Sequence, residues 1–125
     1  MLLSYTGKTS GRRYAIPVGY FSWPAGDVVT FTSRRWWMNL RDGRPVRLLL
    51  RGHWYDAMPE VVSTVDGRAS LLAELVGLHG PRATRRLFLG LPTDRAPTAG
   101  EIREAAGDVA AVTFRLGTGT DRASA

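Results

Sequence analysis

Tyr5 to Tyr20 reads Y-T-G-K-T-S-G-R-R-Y-A-I-P-V-G-Y, and the reading of this stretch decides how the remainder is assembled. Thr6 to Arg13 packs two glycines, three hydroxyls and three cations into eight residues. From Tyr14 the sequence turns apolar and β-like. Gly7 and Gly11 can adopt positive φ at little cost, which would let successive backbone N–H groups point into one concavity. Thr6, Thr9 and Ser10 add hydroxyl donors, and Lys8, Arg12 and Arg13 add the charge that phosphate or carboxylate oxygens require. An ordinary hairpin with a solvated basic tip is the other reading of the same residues. A P-loop is excluded, because G-x-x-x-x-G-K-[ST] needs a glycine where this chain has Leu2, and a helix where it has β-like sequence with Pro17.

Outward from this turn, Met1 to Tyr5 is β-compatible and Tyr14 to Trp23 reads as one strand. Pro17 cannot donate to a ladder, so that strand belongs at an edge or a bulge. Pro24 to Asp27 is a turn, and Val28 to Thr32 completes a β-hairpin. Ser33 to Leu40, S-R-R-W-W-M-N-L, predicts a short helical turn capped by Ser33. Val46, Leu48 and Leu50 alternate within Pro45 to Arg51, whose outward residues Arg47 and Arg51 read as a solvated face. Gly52-His53 links this strand tightly to Trp54 to Ser63.

A helix is expected from Asp66 or Gly67, with Leu71, Leu72, Leu75, Val76 and Leu78 at helical spacing and a stop at Gly80-Pro81. A short helix over Ala83 to Leu89 and a loop over Leu91 to Pro97 follow. Thr98 then caps Ala99 to Ala106 before Gly107, and Val109 to Leu116 forms a last strand. Six strands in antiparallel hairpins with a few short helices define an α+β domain built on a small barrel, over residues 1–117, with a flexible tail over 118–125.

The chain has 125 residues, enough for one core, with 44% hydrophobic and 22% charged residues. Without cysteine there is no disulfide framework, thiolate metal site or cysteine nucleophile. His53 and His79 fall in different elements without metal-ligand spacing, so no metal site is expected. No catalytic triad is apparent. The net charge is +6 and the pI about 10.7, with sixteen arginines against one lysine. Nucleic acid, an anionic membrane surface or an anionic small molecule all fit such a balance. The arginines are scattered rather than gathered in a stripe, which ranks a nucleic-acid-binding module last and predicts no specific nucleic acid partner. No apolar run reaches the length of a membrane span and Met1-Leu2-Leu3 is too short for a signal-peptide core, so a cytoplasmic location is expected.

The order T-G-K-T-S-G-R-R-Y-A-I-P-V-G-Y, a hairpin, W-W-M-N-L-R and a β run ending in R-G resembles the deazaflavin-dependent nitroreductase family over about Leu2 to Val62. These are split β-barrel proteins related to flavin-binding oxidases of the pyridoxamine phosphate type. The resemblance implies an oxidoreductase that uses the deazaflavin coenzyme F420 to move a hydride to a small organic acceptor, with FMN as the alternative cofactor. It implies that the cofactor's phosphate and acidic tail meet Lys8, Thr9, Ser10 and Gly11, with Arg12 and Arg13 beside them. It also implies that the ring lies by Ser33, Arg34, Arg35, Trp36, Trp37 and Asn39.

Of the two tryptophans, adjacent on a helical turn, one is expected in the core and the other against the ring. Asn39 either bonds the cofactor or caps local backbone. Split barrels of this kind dimerise, so a homodimer is a further expectation. The family's substrate-lining tyrosines have no counterpart between Gly67 and Gly107, which turns the expected acceptor away from nitro compounds. A non-catalytic split barrel carrying a flavin-like or haem-like ligand is the alternative from another class.

Overall fold

The computed structural model describes residues 1–119. Seven strands, not six, form one sheet: β1 (Leu2–Thr6), β2 (Arg13–Pro17), β3 (Phe21–Ser22), β4 (Val28–Thr32), β5 (Val46–Leu50), β6 (His53–Val61) and β7 (Ala110–Gly119). Their spatial order is β2-β1-β5-β6-β7-β4-β3, and the β1–β2, β1–β5, β3–β4, β5–β6 and β6–β7 pairings are antiparallel. The extra strand comes from Tyr14 to Trp23, which is not continuous: β2 ends at Pro17, and β3 begins at Phe21. Pro17 sits in an edge strand, as its missing N–H requires.

This break also explains why the sheet curls. β2 and β3 occupy its two edges, which in a flat seven-stranded sheet would lie about 29 Å apart. Only Val18 to Tyr20 separate them, and the step from Pro17 to Phe21 spans at most about 14 Å. The sheet must therefore bend back on itself, giving an antiparallel half-barrel that stays open rather than a closed barrel. The link is held on both sides. The Val18 N–H donates to the Met1 carbonyl at 2.9 Å, and the buried Thr30 hydroxyl donates to the Gly19 carbonyl at 2.9 Å.

The described residues fall into two compact units. The first comprises Met1–Thr30, Arg35–Val61 and residues 112–119; the second comprises Phe31–Arg34 and Val62–Ala111. The core of the first is built from alternate strand residues. Leu3 and Tyr5 of β1, Val46, Leu48 and Leu50 of β5, Ala57 of β6 and Val112 and Phe114 of β7 are buried together with Val28 and Leu40. A two-residue turn, Arg51-Gly52, joins β5 to β6 with both φ angles positive, 50° and 82°, the geometry that matches the twist of a tight hairpin.

In the second unit, α1 (Val65–His79) starts where the Thr64 hydroxyl accepts the Gly67 N–H at 3.0 Å and stops at Gly80. α2 (Ala99–Ala106) carries a full capping box between Thr98 and Glu101 and packs on α1, burying Leu72, Leu75, Ile102, Ala105 and Ala106. Arg68 donates from Nε to the Ala106 carbonyl at 2.9 Å and from Nη1 to the Val62 carbonyl at 3.2 Å, and Arg103 pairs with Asp66. The expected short helix over Ala83 to Leu89 is a 3₁₀ helix over Pro81–Leu87. The tail expected over 118–125 lies, from residue 120 on, outside the described residues. No helix among the described residues is long and apolar enough to cross a membrane.

Candidate functional site

The basic turn between β1 and β2 is organised from within. The Gly7 N–H donates to the Arg12 carbonyl at 2.7 Å, the Gly11 N–H to the Gly7 carbonyl at 3.0 Å, and the Arg12 N–H to Ser10 Oγ at 3.1 Å. Gly11 takes the expected positive φ, 70°, but Gly7 is a glycine for a different reason. A Cβ there would lie 2.7 Å from Ser10 Oγ and 2.8 Å from Tyr14 Cε2, so any larger residue requires those two side chains to move. With these amides engaged inside the turn, its outward groups are side chains. Lys8, Thr9, Ser10, Arg12 and Arg13 are all exposed. Arg13 is anchored, its Nε donating to the buried Ser4 hydroxyl at 3.1 Å.

The second expected segment, a 3₁₀ helix over Trp36–Leu40, reaches this turn through Asn39. Asn39 Oδ1 accepts the Lys8 N–H at 2.9 Å, and its Nδ2 donates to the Trp36 carbonyl at 3.1 Å. One side-chain amide thus bonds back to the first carbonyl of its own helix and straps the basic turn across 31 residues of chain. Its cap residue is Arg35, with no side-chain cap, so Ser33 does not start it. Both tryptophans are half-buried and pack against the barrel core. Trp37 carries the Arg41 guanidinium 5.8 Å from its ring centre. Ser33 and Arg34 are exposed and belong to the second unit, where the Arg34 N–H donates to Thr32 Oγ1 at 3.0 Å.

Beside the strap lies a pocket of about 280 Å³ lined by Tyr5, Thr6, Asn39, Leu40, Arg44, Pro45 and Val46. Tyr5 stacks on Tyr14 with ring centres 5.4 Å apart, and burial, helped by the Tyr14 phenol, raises its pKa. Arg44 pairs with Asp42 at 2.6 Å. The Arg44 N–H, then its guanidinium and finally the charge of Lys8 hold the Asp42 carboxyl below its ordinary range. Lys8 and Arg44 thus bring two cations, partly balanced by Asp42, to the same region. Arg44 and Tyr5 were not singled out by sequence. Their signal was the Asp42-Gly43-Arg44-Pro45 turn, which fixes the local ion pair, and the position of Tyr5 at the strand end that enters the basic turn.

Among the described residues, no group of three or more His, Asp or Glu side chains is placed to hold a metal ion. A volume of about 280 Å³ lies just under the range, about 300–1,000 Å³, in which whole small-molecule ligands are buried. The pocket suits one compact part of a ligand, with any long anionic extension lying over the exposed cations. Comparison of the chain with models of known protein families, and with curated proteins, gives no match.

Proposed function

We propose that this protein is an oxidoreductase that binds the deazaflavin coenzyme F420 and transfers a hydride to a small organic acceptor. The observation that supports it is the hydrogen bond from the Lys8 amide to Asn39, because it joins the two segments on which the family resemblance rests. The donor set fits the group: Lys8 and Arg12 are exposed cations suited to a phosphate and carboxylate tail, and Trp36 and Trp37 offer flat apolar surface suited to a ring system. The coenzyme, when bound, supplies the hydride chemistry. The chain's own part is to bind the tail and to hold the turn in register through Asn39.

Fluorescence titration of the purified protein with oxidised F420 and with FMN tests this reading. F420 should bind more tightly, because its tail adds carboxylates to the single phosphate that FMN presents to the turn. Equal or tighter binding of FMN overturns the deazaflavin assignment.

A further inference from the structure

Away from the candidate site, one residue of the second unit breaks two local rules at once. Phe88 has φ 54°, a left-handed conformation that a bulky side chain enters only at a cost, and it is 92% exposed. Glycine at this position would remove both penalties. Phe88 ends the 3₁₀ helix Pro81–Leu87, its N–H donating to the Arg85 carbonyl at 3.3 Å.

With three residues per turn, positions i and i+3 of such a helix share a face. Pro81, Thr84 and Leu87 form the inward face: Thr84 is buried, its hydroxyl donating to the Pro81 carbonyl at 2.9 Å, and the other two are half-buried. The next face carries Arg82 and Arg85, both exposed, and exposed Phe88 follows just past the helix end. Two guanidinium groups on one outward face and an aromatic ring at the helix end therefore make up a short exposed stripe of chain. No Asp or Glu occurs between Leu75 and Thr93 to neutralise it within the local chain. Arg85 lies near the last carbonyls of the helix, where a cation is favourable, but Arg82 lies in the first turn, where the helix ends do not explain it.

We infer that this stripe docks on an anionic lipid surface. A second copy related by a two-fold axis would set Arg82 and Arg85 against themselves, so charge selects an anionic partner over self-association. Phe88 protrudes between Leu87 and Leu89 rather than lining a groove, and a protruding apolar tip is taken up by the boundary between headgroups and acyl chains. Arginine side chains can lie along that boundary while their heads reach lipid phosphates. The association is reversible and salt-sensitive, since one ring and two charges fall short of a stable anchor. It involves no residue of the F420 proposal and stands or falls apart from it.

The test is co-sedimentation of the full chain at physiological salt with vesicles of mixed phosphatidylglycerol and phosphatidylcholine, against vesicles of phosphatidylcholine alone. Binding should require phosphatidylglycerol. Phe88→Gly should weaken it about tenfold while leaving the melting temperature unchanged or higher, because glycine adopts the left-handed region without strain. Phe88→Asn, which also tolerates that region, serves as the second variant. Arg82→Gln and Arg85→Gln should each weaken binding about fivefold. Absent binding to the phosphatidylglycerol vesicles, or equal binding by wild type and Phe88→Gly, overturns the inference. So does tighter binding to a single-stranded oligonucleotide that Phe88→Gly abolishes, which would assign the stripe to nucleic acid.

Discussion

Asn39→Ala is the most informative substitution in the candidate site, because one side chain holds two hydrogen bonds that serve different elements. Its removal frees the Lys8 N–H, bonded at 2.9 Å, and the Trp36 carbonyl, bonded at 3.1 Å. Each such bond contributes about 0.5–1.5 kcal/mol net. Lys8 lies on an exposed turn where water can replace the lost acceptor, whereas Trp36 is half-buried, so the sum should be about 1–2 kcal/mol. For a domain of this size that corresponds to a fall of about 3–8 °C in Tm by calorimetry.

A more local reading comes from amide hydrogen exchange. The Lys8 amide should exchange about fivefold to tenfold faster in the variant, as loss of about 1 kcal/mol of local protection implies. Lys8→Ala is the matched control: it keeps the backbone N–H and its bond to Asn39, so stability should stay within about 0.5 kcal/mol of wild type. On the F420 proposal both variants bind the coenzyme more weakly, Asn39→Ala because the turn must be ordered on binding and Lys8→Ala because a charge is gone. Only the Lys8→Ala loss should shrink as salt is raised. A Lys8 amide that exchanges equally fast in wild type and Asn39→Ala would refute the strap itself, whatever the cofactor.

Two further substitutions probe the fold around these elements. Gly7→Ala forces a Cβ to within 2.7 Å of Ser10 Oγ and 2.8 Å of Tyr14 Cε2 and should destabilise by about 1–3 kcal/mol in urea unfolding; an unchanged midpoint would mean that the Tyr14 ring swings aside without cost. Glu101 is held to about 2, below its ordinary 4.5, first by the hydrogen bonds from Arg95 and then by the Thr98 N–H. Its folded pKa is depressed, so its stabilisation is complete above about 4.5 and is lost as pH falls through about 2. Glu101→Gln should flatten the acid limb of a stability–pH curve in that window, and a limb identical to wild type would remove Glu101 from the account.

The local chemistry of the chain was legible in its sequence wherever a single residue carries its own constraint. Pro17 marks an edge or a bulge because it lacks an N–H, Thr98 marks a helix start because its hydroxyl satisfies a free amide, and Gly80-Pro81 ends α1. The alternation of Val46, Leu48 and Leu50 assigned the buried face of β5 because side chains in a strand point to opposite sides in turn. Tertiary structure decided what depends on residues far apart in the chain. Tyr14 to Trp23 is uniformly β-like, and its division into β2 and β3 follows only from their separate partners β1 and β4, each one strand in from an edge of the sheet.

Gly7 was read as a positive-φ turn residue and is instead a close approach, since the atoms that crowd its Cβ position belong to Ser10 and Tyr14. Asn39 was read as a ligand to a cofactor or to its own helix, and no local signal could pair it with an amide 31 residues earlier. Arg44 likewise joined the pocket only when folding brought β1, the Trp36–Leu40 helix and the start of β5 together. Propensities and caps are properties of neighbouring residues and survive in the sequence; register, pocket walls and straps are set by the cooperative burial of one core, and no window of the chain contains them.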